Sequence, residues 1–171
     1  LVGGADAASR DYALAVRREA VGHAVSVHFN APRSLVRDTL ATAGIFWHGG
    51  GFGEDPDVHP ERFEHFGIAV VEAMAAGAVP VVFGAAGPAE IVRHGGDGYH
   101  WHTLDELVSR TRELIADPAR LAAMSASAQQ RAGGFSGHVF APRLRLAAAH
   151  ALRWPAPPSR RTPRRARPPP G

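Results

Sequence analysis

Two glutamates bracket the stretch Glu64-His65-Phe66-Gly67-Ile68-Ala69-Val70-Val71-Glu72. Gly67 falls where the spacing predicts a helix to begin, and without a Cβ it lets a ligand come close to the backbone. The unpaired N–H groups of a first helical turn and the positive end of the helix dipole favour an anion such as a diphosphate. Ile68 and Glu72, at i and i+4, share a helix face about 6 Å apart. A carboxylate one turn below a diphosphate is placed to hold a ribose diol, as the acidic residue of dinucleotide folds does. Glu64, ahead of the helix, is placed to reach a sugar hydroxyl at the far end of the diphosphate. By spacing alone, both glutamates also fit the ordinary pattern of acidic residues that complement a helix dipole.

Such a site needs a strand before it and a helix beneath it, and the chain alternates these elements throughout. Leu1-Val2-Gly3-Gly4 reads as the end of a strand and a glycine turn. Helical spacing runs over about 9–21, with Gly22 as its stop. Residues 25–29 alternate as a strand; Asn30 turns, and Pro32 opens a helix that Gly44 ends. Ile45-Phe46-Trp47-His48 is a short apolar strand. Residues 49–63, rich in Gly, Asp and Pro, form a long loop of the kind that is functional or disordered. A helix is predicted over 66–76, a buried strand over 79–83, and a short helix through Val92 after Gly84 and Gly87. A turn over 94–98 leads to a strand over 99–101. Thr103 and Glu106 form a capping box for a helix over 104–116, and Asp117-Pro118 starts another to about Arg131. A last helix runs from Phe135-Ser136 to about Leu152. This order implies βαβ crossovers and an α/β fold: a Rossmann-like parallel sheet with helices on both faces. Ligands of such sheets bind beyond the carboxyl ends of the strands, here the loops at 3–8, 29–32, 48–66 and 83–88.

The wording around the glutamates is specific. Glu64-His65-Phe66-Gly67-Ile68, Val71-Glu72-Ala73-Met74-Ala75-Ala76-Gly77 and Val79-Pro80-Val81-Val82 closely resemble the signature of family 4 glycosyltransferases. The likeness continues through Gly87-Pro88-Ala89-Glu90-Ile91-Val92 and covers roughly residues 1–146. Eukaryotic-type mannosyltransferases of the lipid-linked oligosaccharide pathway share the wording from Glu64 to Gly67. The resemblance implies the C-terminal, nucleotide-sugar-binding half of a GT-B fold, in which two Rossmann-like domains face each other across a cleft. It implies Glu64 as the catalytic residue, in contact with the transferred sugar. The donor-binding set is then Glu64, His65, Phe66, Gly67, Ile68 and Glu72, with main-chain N–H groups from Phe66 to Ile68 on sugar and diphosphate and Glu72 on the ribose. Gly3 and Gly4 resemble the glycine turn near the nucleotide, and His28 to Asn30 a wall of the base pocket.

Two features depart from that pattern. The family carries a Gly-Gly pair after the strand over 79–83, where this chain reads Gly84-Ala85-Ala86-Gly87, with added Cβ atoms near the diphosphate. The family also places an Arg and a Lys ahead of the first strand here, to neutralise the leaving diphosphate; this chain has no Lys, and Arg10 falls elsewhere.

Composition narrows the alternatives. The 171 residues are 45% apolar, enough for one domain with a core. No apolar run approaches the roughly 20 residues that span a bilayer, and the first residues lack a signal-peptide pattern. There is no Cys, hence no disulfide or thiolate metal site, which fits a cytoplasmic protein. The net charge of +3 is misleading as a whole: residues 151–171 hold six Arg and no acid, which leaves 13 Arg against 16 acidic residues in 1–150. A mildly acidic folded part is unlike a fold that tracks nucleic acid, so no nucleic-acid partner is expected. His94, His100 and His102 read as turn and surface residues, and no metal or other cofactor is expected.

The expected organisation is therefore a donor-binding domain over 1–152, truncated at its N-terminus, and an Arg/Pro-rich disordered tail over 153–171. The expected function is transfer of a sugar from a nucleotide donor with retention of configuration. The acceptor domain is expected to be missing and the fragment alone inactive. The acceptor is expected to be lipid-linked or at a peripheral membrane site, on the cytoplasmic, inner face. The alternative is a non-catalytic nucleotide-binding Rossmann module or a degenerate partner subunit, although Gly3-Gly4-Ala5-Asp6-Ala7-Ala8 fails the G-x-G-x-x-G template.

Overall fold

A computed structural model of the chain describes residues 1–151. In chain order the elements are β1 (Val2–Gly3), α1 (Arg10–Glu19), β2 (His28–Phe29), α2 (Arg33–Thr42), β3 (Ile45–His48), α3 (Ile68–Ala76), β4 (Val79–Phe83), α4 (Ala86–Ile91), β5 (Tyr99–Trp101), α5 (Leu104–Ala116), α6 (Pro118–Gly133) and α7 (Gly137–Ala151), with a single 3-10 turn at Pro60–Arg62. The α/β alternation is as expected, and every strand pair is parallel.

The centre is β4. Val79, Pro80, Val81 and Val82 are all fully buried, and the pleat sends alternate side chains to opposite faces. On one face Val82 joins Val70 and Met74 of α3, Ile91, and Ala128 and Ala132 of α6. On the other, Val79 and Val81 join Tyr99, Trp101, Leu114 of α5 and Met124. Each fully buried Val or Met contributes about 1.5–3 kcal/mol relative to exposure. α5 starts with the expected capping box: the Thr103 hydroxyl accepts from the Glu106 amide at 3.2 Å, and the Glu106 carboxylate accepts from the Thr103 amide.

The strands form two sheets, β1-β2 and β3-β4-β5. The strand expected over 25–29 contracts to His28–Phe29, which pairs with the two residues of β1; His28 and Asn30 donate to the carbonyls of Leu1 and Gly3, both at 2.9 Å. In a parallel ladder the backbone groups of successive residues face alternate sides. The Val79 amide donates to the Gly44 carbonyl, so Phe46 faces β4 while Ile45 and Trp47 face away from it; by the same parity Val2 faces away from β2. These two open edges line one cleft of about 480 Å³ together with Val36 and Leu40 of α2 and Ala69 and Glu72 of α3.

The chain divides into a unit over Leu1–Ser136 and a second unit that begins with α7. Within α7, Pro142 has no N–H to offer the His138 carbonyl. The tail expected over 153–171 lies outside the described residues, as does the last residue of the expected domain, Leu152.

Candidate functional site

The long loop between β3 and α3 is held in place, and its anchors aim Glu64. Phe52 packs edge-on against Phe83 and tilted against Trp101, with ring centroids 5.7 and 5.0 Å away. One nitrogen of Arg62, Nη1, donates to both carboxylate oxygens of Glu54 at 2.9 Å. Phe63 is buried under Gly51, whose positive φ of 89° and lack of a Cβ admit the ring. The next residue is Glu64.

Glu64 is half-buried, and its carboxylate turns back onto its own loop. Oε1 accepts from the Phe66 amide at 3.2 Å and from the Gly67 amide at 3.0 Å. Gly67 caps α3 with φ of 95°, a left-handed conformation open to glycine at low cost. The helix begins at Ile68 rather than at Phe66, because Gly67 takes that conformation. The Val70 and Val71 amides bond to the Gly67 carbonyl, while those of Ile68 and Ala69 have no partner among the described residues. Of the three amides expected to hold sugar and diphosphate, two are thus engaged by Glu64 and one is open. His65, Phe66 and Ile68 are exposed, and Phe66 rests edge-on against Phe135.

The loop after β4 is clamped against this turn. The Gly87 amide donates to the Glu64 carbonyl at 3.0 Å. At the departure noted above, Ala86 adopts φ of 49°, the left-handed region, at a cost of about 1–2 kcal/mol for an L-residue. The added Cβ of Ala86 therefore acts on the backbone; its side chain is exposed.

Glu72 lies on α3 and lines the cleft with Ala69, His48, Gly49 and the open edges of β1 and β3. Arg33 approaches it at 3.6 Å, but that guanidinium is almost wholly in water, so the pair contributes little. Gly3 and Gly4 follow the part of β1 that lines the cleft and do not line it themselves. Their turn is tied to β2 instead. Asn30, at φ of 52°, accepts from the Ala5 amide at 3.0 Å and donates to the Ala5 carbonyl at 2.7 Å. The structure thus brings Glu64 and Gly67 together at the amino end of α3, sets Glu72 one turn further along the helix on the cleft, and places Gly3 and Gly4 in a separate turn.

Sequence reasoning took His48 as a strand end and the first residue of a ligand loop, with no role of its own. It ends β3, lines the cleft, and its Nδ1 is buried without a hydrogen-bond partner. Burial holds its pKa below the ordinary histidine value, while the negative charge of Glu64 pulls it partly back. The signal for it was its position, last in a strand whose carboxyl end opens on the site. The other histidines work locally: the His94 Nδ1 accepts from the His100 amide at 3.0 Å, and the His100 Nε2 donates to the Val92 carbonyl at 2.8 Å. Among the described residues no group of three or more His, Asp or Glu is gathered as a metal site.

The family model described as "Glycosyl transferases group 1" matches residues 14–131. The GDP-Man:Man(3)GlcNAc(2)-PP-Dol alpha-1,2-mannosyltransferase of Dictyostelium discoideum is 40% identical over 80 residues, which cover 46% of this chain and 16% of that protein. The D-inositol 3-phosphate glycosyltransferase 1 of Catenulispora acidiphila is 44% identical over 81 residues, covering 46% and 19%. Among solved structures, Anabaena Alr3699/HepE in complex with UDP and glucose superposes with a TM-score of 0.68 at 24% identity, over 88% of this chain and 39% of that one. This last likeness shows the fold. The matched part of the chain spans less than a fifth of the length of these two curated relatives.

Proposed function

The chain belongs to the group 1 glycosyl transferase family, and from that premise we propose that it is the donor-binding part of a family 4-type, GT-B retaining enzyme that acts on a nucleoside diphosphate sugar. The observation that carries this is the amino end of α3. There the amides of Ile68 and Ala69 have no partner among the described residues, Glu64 precedes them and Glu72 follows one turn on, and Glu72 and Ala69 line the cleft beside β3. The diphosphate sits on those amides, in the favourable field of the helix dipole. Glu72 holds the ribose, and Glu64 the transferred sugar.

No side chain in this arrangement is posed as a covalent nucleophile. In the proposed reaction the acceptor hydroxyl attacks the anomeric carbon on the face from which the diphosphate leaves. The bond from that carbon to the phosphate oxygen breaks as the new glycosidic bond forms, and the hydroxyl proton passes to the departing phosphate. Glu64 orients the sugar and stabilises its developing positive charge, a contribution of orientation and electrostatics. The acceptor binds on a further domain, and no metal or cofactor takes part. The proposed acceptor is lipid-linked, in line with the PP-Dol in the name of the Dictyostelium relative, and is met at the cytoplasmic face of a membrane. No helix among the described residues is long and apolar enough to cross a membrane.

The test is calorimetry of the 171-residue chain with UDP, GDP and ADP and with their glucose or mannose conjugates. Weak binding of at least one, without sugar transfer, is the expected result. Absence of binding to all would overturn the donor site, and transfer at an enzymatic rate would overturn the need for a further domain.

A further inference from the structure

At the amino end of α3 one oxygen of Glu64 accepts where an anion would. Oε1 accepts from the amides of both Phe66 and Gly67, while the next two amides, of Ile68 and Ala69, are open. A carboxylate so placed gains from the positive end of α3 as a phosphate oxygen does. A diphosphate that uses the whole row must displace it, or else lie on Ile68 and Ala69 with a fixed negative charge beside it. At such separations like charges repel appreciably even at high effective dielectric. Nothing locks the carboxylate in an alternative place: Glu64 has no cationic partner among the described residues, and the adjacent His48 is held toward its neutral form by burial.

We propose that Glu64 is a specificity-determining residue that competes with the diphosphate for the Phe66 and Gly67 amides and yields them only to a donor that carries its sugar. If the α3 terminus is the donor site, as proposed above, the sugar offers hydroxyl protons to the carboxylate and draws it off the amides, so the diphosphate occupies the full row. After transfer the bare nucleoside diphosphate has no such hydroxyls. The carboxylate then returns to the amides and the product is held less tightly. The same side chain thus favours intact donor over spent product, without any bond being made or broken.

The experiment compares the wild-type chain with Glu64→Gln and Glu64→Ala by calorimetry, using UDP, GDP, UDP-glucose and GDP-mannose. Bare UDP or GDP, whichever the wild type binds, is expected to bind roughly tenfold tighter to both variants, with Ala at or above Gln, since a charge-assisted competitor has been removed. The sugar conjugate should bind no tighter than to wild type, so its advantage over the bare nucleotide shrinks. Unchanged or weaker binding of the bare nucleotide to both variants overturns the competition while leaving the donor site standing. Binding of none of the four ligands by any form overturns both. Should Glu64→Ala melt early, the near-isosteric Glu64→Gln decides, together with the Phe66 and Gly67 amide resonances. In the wild type these should shift far more with the sugar conjugate than with the bare nucleotide, and equal shifts count against the competition.

Discussion

The backbone of Gly87 lies so close to that of His65 that a Cβ on Gly87 would stand 2.5 Å from the His65 carbonyl oxygen. The contact is backbone on backbone, so no flexible side chain can give way. Together with the bond from the Gly87 amide to the Glu64 carbonyl it fixes the distance between the turn after β4 and the turn that starts α3. The segment after β4 and the turn that starts α3 are therefore packed backbone to backbone.

Gly87→Ala is expected to force these turns apart, at a cost of about 1–3 kcal/mol for overpacking. Urea unfolding reads the stability loss, and calorimetry should show weakened nucleotide binding alongside it. Unchanged stability would mean that the turns separate freely.

Ala86→Gly should do the reverse. The left-handed φ of Ala86 costs an L-residue about 1–2 kcal/mol, of which glycine returns part to unfolded-chain entropy, leaving a gain of about 0.5–1 kcal/mol. A higher urea midpoint at unchanged slope is the expected outcome; a lower midpoint would place this turn in another conformation.

Glu72→Gln should weaken binding of the bare nucleoside diphosphate by roughly tenfold or more, the loss of a charge-assisted contact to the ribose. This is opposite in sign to the effect expected at Glu64. Equal changes in the same direction at the two positions would assign both carboxylates to the helix dipole alone.

Stability should fall as the pH drops below about 6.5, the ordinary histidine value. His48 and His94 both have pKa values depressed in the fold, chiefly by burial, with His100 and Arg110 adding to the effect at His94. The unfolded chain takes up protons near pH 6.5 that these rings still refuse, so their contribution is present above that pH and is lost as pH drops through their folded values. A His48→Gln/His94→Gln variant should show a flatter melting profile over this window. The carboxylates with lowered values, Asp6, Glu106 and Glu113, act only at lower pH, below about 4.5. A wild-type melting temperature that is flat across this range would contradict the desolvation of the half-buried His48 ring; His94, which is exposed, contributes less.

Much of the frame was legible because its signals are local. β3, β4 and β5 are apolar runs between glycine turns, and α5 has its capping box written three residues apart, so their bounds follow from the chain itself. β2 was overestimated because strand length depends on a partner, and β1 offers two residues. Glu64 and Glu72 were found by motif and spacing. The direction of the Glu64 carboxylate was not, because a rotamer choice between two amides leaves no trace in residue order. Nor were the Asn30 staple on Ala5 or the buried Nδ1 of His48 legible: both arise where segments distant in sequence meet, and neither residue type announces it.

The two unpaired strand edges have a further consequence for how the chain behaves in a test tube. On the edges turned away from β2 and β4, Val2 on one side and Ile45 and Trp47 on the other have no ladder partner among the described residues, and no charged residue or proline stands within β1 or β3 to discourage pairing. Natural sheets protect such borders, because an unguarded one is a template on which any extended segment can anneal. Self-association of the chain should consequently grow with concentration, as copies pair edge to edge. A short strand parallel to both edges would fuse the two sheets into one and remove the hazard.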